Sequence, residues 1–247
     1  MLQAPPRTAP SGPAFIRLLA RLADVDVPES RQSLSDRLSQ WLGWTDAIAL
    51  SSALNGNPPA VGSGAKAFGG AEEDECARVR SSLAKAITAD SVFALSRRRG
   101  PAQVSSQSAP TATPADYAVF RQRYLSMQQS MEMGIGNLRG RLRGMLAVKT
   151  PAMARLAVVD AVMERALSER ERNLLASVPG LLARHFQRLR DAEQETLAAA
   201  EASGDAAAVT PGAWLDVFRK DMQSVLLAEL DVRLQPVEGL LAALRTS

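Results

Sequence analysis

Apolar side chains recur at steps of three and four residues along the second half of the chain. Between residues 114 and 149 seven of them form such a series: Tyr124, Met127, Met131, Ile135, Leu138, Leu142 and Met145. A second series lies near the end: Leu227, Leu230, Leu234, Val237, Leu241 and Leu244. An average step of about 3.5 residues places side chains on one face of an α-helix. The spacing predicts long amphipathic helices that pack on one another as coiled coils do.

Composition favours the same fold class. Apolar residues make up 46% of the 247 residues, but aromatic residues only 4%. The core must therefore be built from Leu, Ala, Val and Met, which suits closely packed helices. No run of alternating β-branched or aromatic residues has the length of a strand. The sequence predicts an all-α fold.

Proline and glycine mark the ends of the long helices. Three Thr-Pro pairs begin at Thr113, Thr150 and Thr210. Threonine is a good N-cap, and proline is tolerated in the first helical turn. With Val178-Pro179-Gly180 as a further break, four helices are predicted, at 114–149, 151–177, 180–203 and 211–245. Pro236 lacks the N–H that an internal helical hydrogen bond needs, which predicts a kink or break there.

Linker-like segments divide the chain. Residues 56–70 and 96–112 are rich in Gly, Pro, Ser and Ala, which is typical of flexible linkers. The predicted organisation is a disordered N-terminus (1–12), a small helical unit (13–55), a linker (56–70), a connecting helix (71–95), a second linker (96–112) and a bundle of long helices (113–247).

The stretch MGIGNLRGRLRGML, residues 133–146, holds four glycines. Each glycine inside a helix costs about 0.8–1.0 kcal/mol relative to alanine. Gly136, Gly140 and Gly144 are four residues apart, so a continuous helix would carry them as a groove of small residues that another helix can approach closely. On this reading Gly140→Leu would disrupt packing or assembly. The alternative is a helix break between Gly134 and Asn137.

Arginines flank the glycines. Arg139, Arg141 and Arg143 lie in a part of the chain, residues 116–190, that carries a net charge of +7, whereas residues 191–247 carry −6. These arginines are therefore expected to be solvated or paired internally, with the acidic segment as a partner. The alternative is a nucleic-acid contact by the basic 139–155 region, including Arg155. The arginines lack interleaved aromatic residues for stacking bases, which weakens that alternative.

Other candidate contact residues are tryptophans and leucines. Trp41 and Trp44 are the candidate anchors of the small unit, although both would serve equally as core residues. Leu227, Leu230 and Leu234 begin the second leucine series, which is either internal core or a surface for a partner helix.

Catalytic chemistry has no support in the sequence. The chain contains one histidine and one cysteine, His185 and Cys76, so a histidine-rich or cysteine-cluster metal site is excluded. No nucleophile or phosphate-loop motif is present, and no cofactor is expected. The sequence also predicts neither a signal peptide nor a membrane-spanning stretch of about 20 apolar residues. The expected location is the cytoplasm.

The passage RLSQWLGWTDAIALSSALN, residues 37–55, resembles an uncharacterised family of cytoplasmic proteins from beta- and gammaproteobacteria, a domain of unknown function. YLSMQQSMEMGIGNLRGRLRGML and the C-terminal helices extend the similarity more weakly. The resemblance supplies no activity or catalytic residues. It implies a setting near envelope proteins that resemble flagellar-motor stators and peptidoglycan-binding domains.

These observations predict a non-enzymatic helical interaction or adaptor protein. Its partner would be another protein or a second copy, and the resemblance suggests an envelope-associated, motor-like complex. The alternative is a nucleic-acid-binding protein.

Overall fold

The computed structural model describes residues 13–25, 32–56, 70–93, 115–203 and 211–246. These residues form eight α-helices and no strand, which confirms the predicted all-α fold. The helices are α1 (Ala14–Ala23), α2 (Leu34–Trp41), α3 (Trp44–Asn55), α4 (Gly70–Thr88), α5 (Tyr117–Ala147), α6 (Pro151–Leu175), α7 (Val178–Ser203) and α8 (Ala213–Arg245). The predicted disordered segment 1–12, the linker 96–112 and most of the linker 56–70 lie outside the described residues.

The long helices α5 and α8 pack on each other at the centre, and α6 and α7 flank them. Six of the seven apolar residues predicted for one face of α5 are buried. The exception is Met145, which is partly buried, while Leu146 takes the buried position. The predicted series assumed a supercoiled helix with 3.5 residues per turn, whereas a straight helix has about 3.6. In α5 the buried face therefore advances by four-residue steps from Leu138 to Leu142 and Leu146.

The helix starts follow local hydrogen bonding. Thr150 caps α6 as predicted, because its side chain accepts a hydrogen bond from the Met153 N–H at 3.2 Å. Helix α5 begins later than predicted, at Tyr117, with Asp116 as its cap. Helix α8 follows Gly212, whose φ of 85° is in the left-handed region that glycine adopts readily. The Gly212 N–H donates to Glu193 on α7 at 2.9 Å, which holds the two helices together where α8 begins.

Proline has different effects at two positions. Between α6 and α7, Pro179 lies in the first turn of α7, where its missing N–H needs no partner. Pro236 lies inside α8, which nevertheless continues from Ala213 to Arg245. The predicted break at Pro236 is therefore absent. The buried residues Leu234 and Val237 on either side hold the helix against the core.

An aromatic cluster joins α5, α7 and α8. The Phe218 ring packs edge-on against Phe120 and Phe186, with ring centroids 5.2 and 5.0 Å apart. Trp214 packs edge-on against Phe186 at 4.8 Å. Nearby, the buried His185 on α7 contacts Asp221 on α8 through Nε2 at 2.8 Å. The chain has few aromatic residues, and the members of this cluster lie where three helices meet.

The predicted small unit, residues 13–55, is distributed over the bundle. Helix α1 packs on α7 and α8 and adds Phe15 and Leu22 to the same buried core, whereas α3 packs on α6. Helices α2 and α3 contain no buried residue of their own. Such short helices bury too little apolar surface to form a separate core. Helix α4 also joins the bundle by packing on α5 and α8.

Candidate interaction site

The glycine-rich stretch is a continuous part of α5, so the alternative of a break at Gly134–Asn137 is excluded. The expected close approach of another helix of this chain along Gly136, Gly140 and Gly144 is wrong. A Cβ added at Gly136 or Gly144 would meet no atom within 4 Å, and one at Gly140 would meet only the Arg143 side chain at 3.9 Å. Residues four apart in a helix are rotated by about 40°, so the ends of this row are about 80° apart and face different surroundings.

The open space beside these glycines allows a prediction about stability. We expect Gly140→Ala and Gly144→Ala each to raise the free energy of unfolding by about 0.8–1.0 kcal/mol, because alanine is the better helix former and has room. Urea unfolding measures this change. As a control, Gly212→Ala should lower stability by about 1 kcal/mol, because its φ of 85° disfavours a side chain. Equal loss of stability at all three positions would contradict the prediction.

Arg139 and Arg143 belong to a charge cluster between α5 and α6. Arg139 forms a two-pronged contact with Asp160, with N–O distances of 2.9 and 2.6 Å. Arg143 contacts the same carboxylate at 3.3 Å and also donates to Glu164. Burial on its own would lower the pKa of Arg139, but the hydrogen bond and charge of Asp160 raise it above its usual range. The contacts of both arginines with Asp160 and Glu164 therefore fix α6 on α5.

Arg141 points to a different neighbour. Its guanidinium contacts Glu75 on α4 at 2.5 Å. This hydrogen bond, with the charge of Arg78, lowers the pKa of Glu75. The three arginines are thus paired internally with α4 and α6, and the expected partner segment 191–247 supplies none of these carboxylates. Arg155 lies exposed on α6.

The leucine candidates lie inside the molecule. Leu230 and Leu234 are buried in the core, and Leu227 is partly buried against it. Of the two readings of this series, the structure places these residues in internal packing of α8.

The two tryptophans have different environments. Trp41 is partly buried, and the Arg170 guanidinium of α6 lies 4.8 Å from the centre of its ring. Trp44, at the start of α3, is 81% exposed, and Ile48, one turn later, is 50% exposed. The sequence indicated Trp44 but not Ile48, although the spacing of four residues between them was an available signal.

Trp44 and Ile48, four residues apart, lie on one exposed face of the helix, which we call the outer face of α3. Ala47, Ser51 and Asn55 are also exposed on this helix. Asp46 is the one charged residue of α3 and is partly buried. The outer face is therefore an uncharged surface centred on an indole ring.

A second exposed apolar feature is a groove of about 670 Å³ between α4 and α5. Leu138, Leu142 and Met145 contribute apolar lining, Gly144 lies among them, and Arg141 and Glu75 contribute charge. The outer face of α3 and the groove beside Gly144 are thus both partly apolar surfaces.

A buried polar network, which sequence periodicity did not reveal, joins α5 to α8. Glu229 is 0% exposed and accepts hydrogen bonds from the Tyr124 hydroxyl at 2.6 Å and from Gln128 at 3.0 Å. Arg233, whose side chain is 7% exposed, donates to Glu229 at 2.9 Å and to Glu171 of α6 at 3.2 Å. Burial raises the pKa of Tyr124, as does the adjacent Glu229 charge. The signal in the sequence was a Glu–Arg pair four residues apart on a mainly apolar helix.

Two features are absent from the described part of the chain. No helix there is both long and apolar enough to cross a membrane. Nor are three or more His, Cys, Asp or Glu side chains gathered there in a way that could hold a metal ion.

Comparison with known proteins gives a family. Residues 1–246 match a family described as "Protein of unknown function (DUF3348)". No curated protein and no solved structure matches the chain significantly. Because the match spans almost the whole sequence, the chain belongs to the DUF3348 family of proteins of unknown function.

Proposed function

We propose that this protein is a non-enzymatic helical interaction protein that binds a protein partner through the outer face of α3. The observation that carries the proposal is the exposure of Trp44, of which 81% is accessible to solvent. Tryptophan is among the residues that contribute most to protein interfaces, because its large ring loses much apolar surface to water on binding. A single exposed leucine would not support the same proposal.

The surroundings of Trp44 support the same use. Ile48 extends the apolar surface by one turn, and the exposed residues beside it are small or uncharged. A partner that covers this face would not have to strip water from a charged side chain, which keeps the desolvation cost low. Helix α3 packs on α6, so the face is presented on a fixed support.

The location and partner class rest on the family resemblance. We propose a cytoplasmic protein that acts as an accessory of an envelope-associated, motor-like complex. The partner would then be a cytoplasmic segment of that complex that presents an apolar pocket for an indole ring.

The test is a double substitution on the outer face, Trp44→Glu with Ile48→Glu. We expect it to weaken partner binding at least about 30-fold, the effect of losing a contact worth about 2 kcal/mol. Affinity purification from the native host, with quantitative mass spectrometry, measures retained partners. Analytical ultracentrifugation of the purified protein measures self-association.

The matched control is Met133→Glu, which places one charge at an apolar residue of α5 that is 59% exposed. The proposal predicts that this variant keeps the partners of the wild-type protein. Identical partners and identical oligomeric mass for the double variant, the control and the wild type would overturn it.

The nucleic-acid alternative gains no support from the geometry. Arg139 and Arg143 are engaged by Asp160 and Glu164, so phosphate contacts would have to replace ion pairs inside the protein. Of the candidate arginines, Arg141 and Arg155 are the exposed ones.

A further inference from the structure

A cavity of about 170 Å³ lies where α5, α6 and α8 meet, beside the buried Glu229 network. Its lining combines charges of both signs with apolar side chains. Three arginines and three glutamates line it: Arg139, Arg172, Arg233, Glu132, Glu164 and Glu171. Met131, Ile135, Met163 and Leu167 supply apolar lining. The cavity therefore carries no formal net charge, and each arginine of its lining faces a glutamate.

The ion pairs across this lining are loose. The N–O distances are 3.2 Å for Arg233 to Glu171, 3.6 Å for Arg139 to Glu164 and 3.7 Å for Arg172 to Glu132. Optimal charge-assisted hydrogen bonds are about 2.7–2.9 Å long. Arg139 and Glu164 are engaged by Asp160 and Arg143, as described above. The groups that retain hydrogen-bonding capacity for a molecule placed among them are therefore those of the Arg233–Glu171 and Arg172–Glu132 pairs.

Arg233 is an unusual residue for a cavity wall. Its side chain is 7% exposed, and its Nε is fixed by Glu229, which Tyr124 and Gln128 hold in turn. Its Nη1 contacts Glu171, and no described residue accepts a hydrogen bond from its Nη2. Burying a guanidinium is costly unless its donors are used. The network thus holds a cation rigidly at the cavity with one donor nitrogen to spare.

Gly136 also lines the cavity. A Cβ at this position would meet no atom within 4 Å, so the open space at Gly136 is continuous with the cavity. A larger side chain there would project into that space. The role of Gly136 is therefore to leave the cavity open, and not to allow close packing of another helix.

We propose that this cavity binds a small zwitterion, namely a free α-amino acid with an apolar side chain. Arg233 and Arg172 would hold the carboxylate, Glu132 and Glu171 the ammonium group, and the methionine and leucine side chains the apolar part. The neutral sum of the lining matches a ligand with both charges and no net charge. The volume corresponds to about six water molecules, which suits an amino acid and is below the range of about 300–1,000 Å³ for larger cofactors.

Isothermal titration calorimetry of the full chain with each of the twenty amino acids tests the site. We expect at least one with an apolar side chain to bind with a Kd below about 1 mM. Its decarboxylated amine and its deaminated acid, which each keep only one of the charges, should bind at least about tenfold more weakly. Gly136→Leu should abolish binding, whereas Gly144→Leu, the same change on the same helix outside the cavity, should not.

A second pair of variants tests whether the cavity recognises the charges of the ligand. Arg172→Gln should weaken binding at least about tenfold, since one full charge-assisted contact is worth about 1.5 kcal/mol or more. Arg165→Gln, an exposed arginine of the same helix that does not line the cavity, should leave binding unchanged. Circular dichroism verifies that each variant is folded.

Three results would overturn the proposal. They are the absence of any amino acid that binds below about 1 mM, undiminished binding by Gly136→Leu, and equal binding of the amine or acid analogue. None of them bears on the outer face of α3, which is tested separately.

Discussion

Replacing Glu229 with alanine should lower the free energy of unfolding by about 3–5 kcal/mol, the cost of removing one partner from a buried ion pair. The side chain is 0% exposed and accepts hydrogen bonds from Tyr124, Gln128 and Arg233. The Glu229→Ala variant would leave Arg233 charged and buried with only Glu171 as a partner. Urea unfolding followed by circular dichroism measures the loss.

Two further variants assign the loss to the buried charge. Tyr124→Phe removes one hydrogen bond and should cost about 1–2 kcal/mol. Replacing both Glu229 and Arg233 with methionine removes the charges together, and this double variant should be at least about 2 kcal/mol more stable than Glu229→Ala. If the double variant were as unstable as the single one, lost packing rather than an unpaired charge would be the cause.

The second large effect is expected at Asp160. Arg139 donates to both oxygens of this carboxylate, and Arg143 donates to Oδ2 as well. The Arg139 and Asp160 side chains are only 14% and 13% exposed. The Asp160→Ala variant would leave two arginines with Glu164 as their shared partner. We expect a loss of about 2–4 kcal/mol, slightly less than for a fully buried pair.

The control for Asp160 is Glu169→Ala, an exposed carboxylate on the same helix. Its replacement should change stability by less than about 0.5 kcal/mol, as is usual for surface sites. Arg139→Lys provides a second measure, because lysine cannot make the two-pronged contact with Asp160. Equal stability of the Asp160→Ala and Glu169→Ala variants would show that the charge cluster does not hold α6 to α5.

Local signals predicted much of the fold. The apolar steps on α5 identified six of its buried residues, and Thr150-Pro151 identified the start of α6, because both depend on residues close together in the chain. The start of α8 was misplaced by two residues, because the contact of Gly212 with Glu193 comes from a distant helix. Periodicity also could not show that α1 joins the core of the long helices.

The sites were harder to predict for the same reason. The sequence indicated that the arginines of α5 would find internal partners, but net charge pointed to the wrong segment. Asp160 and Glu75 are the actual partners because the packing of α6 and α4 on α5 brings them within reach. The sequence indicated Trp44 as an anchor, but the exposure of its ring depends on how α3 packs on the rest of the chain, which periodicity does not show.

The attachment of α1 to α7 and α8 has a consequence for biosynthesis. About 200 residues separate the first helix from the start of the last, which a ribosome adds in roughly 10–40 s. During that interval Phe15 and Leu22 have no permanent neighbours, since the helices that cover them have yet to emerge. The nascent chain must therefore keep an apolar segment near its beginning from aggregating until translation is almost complete.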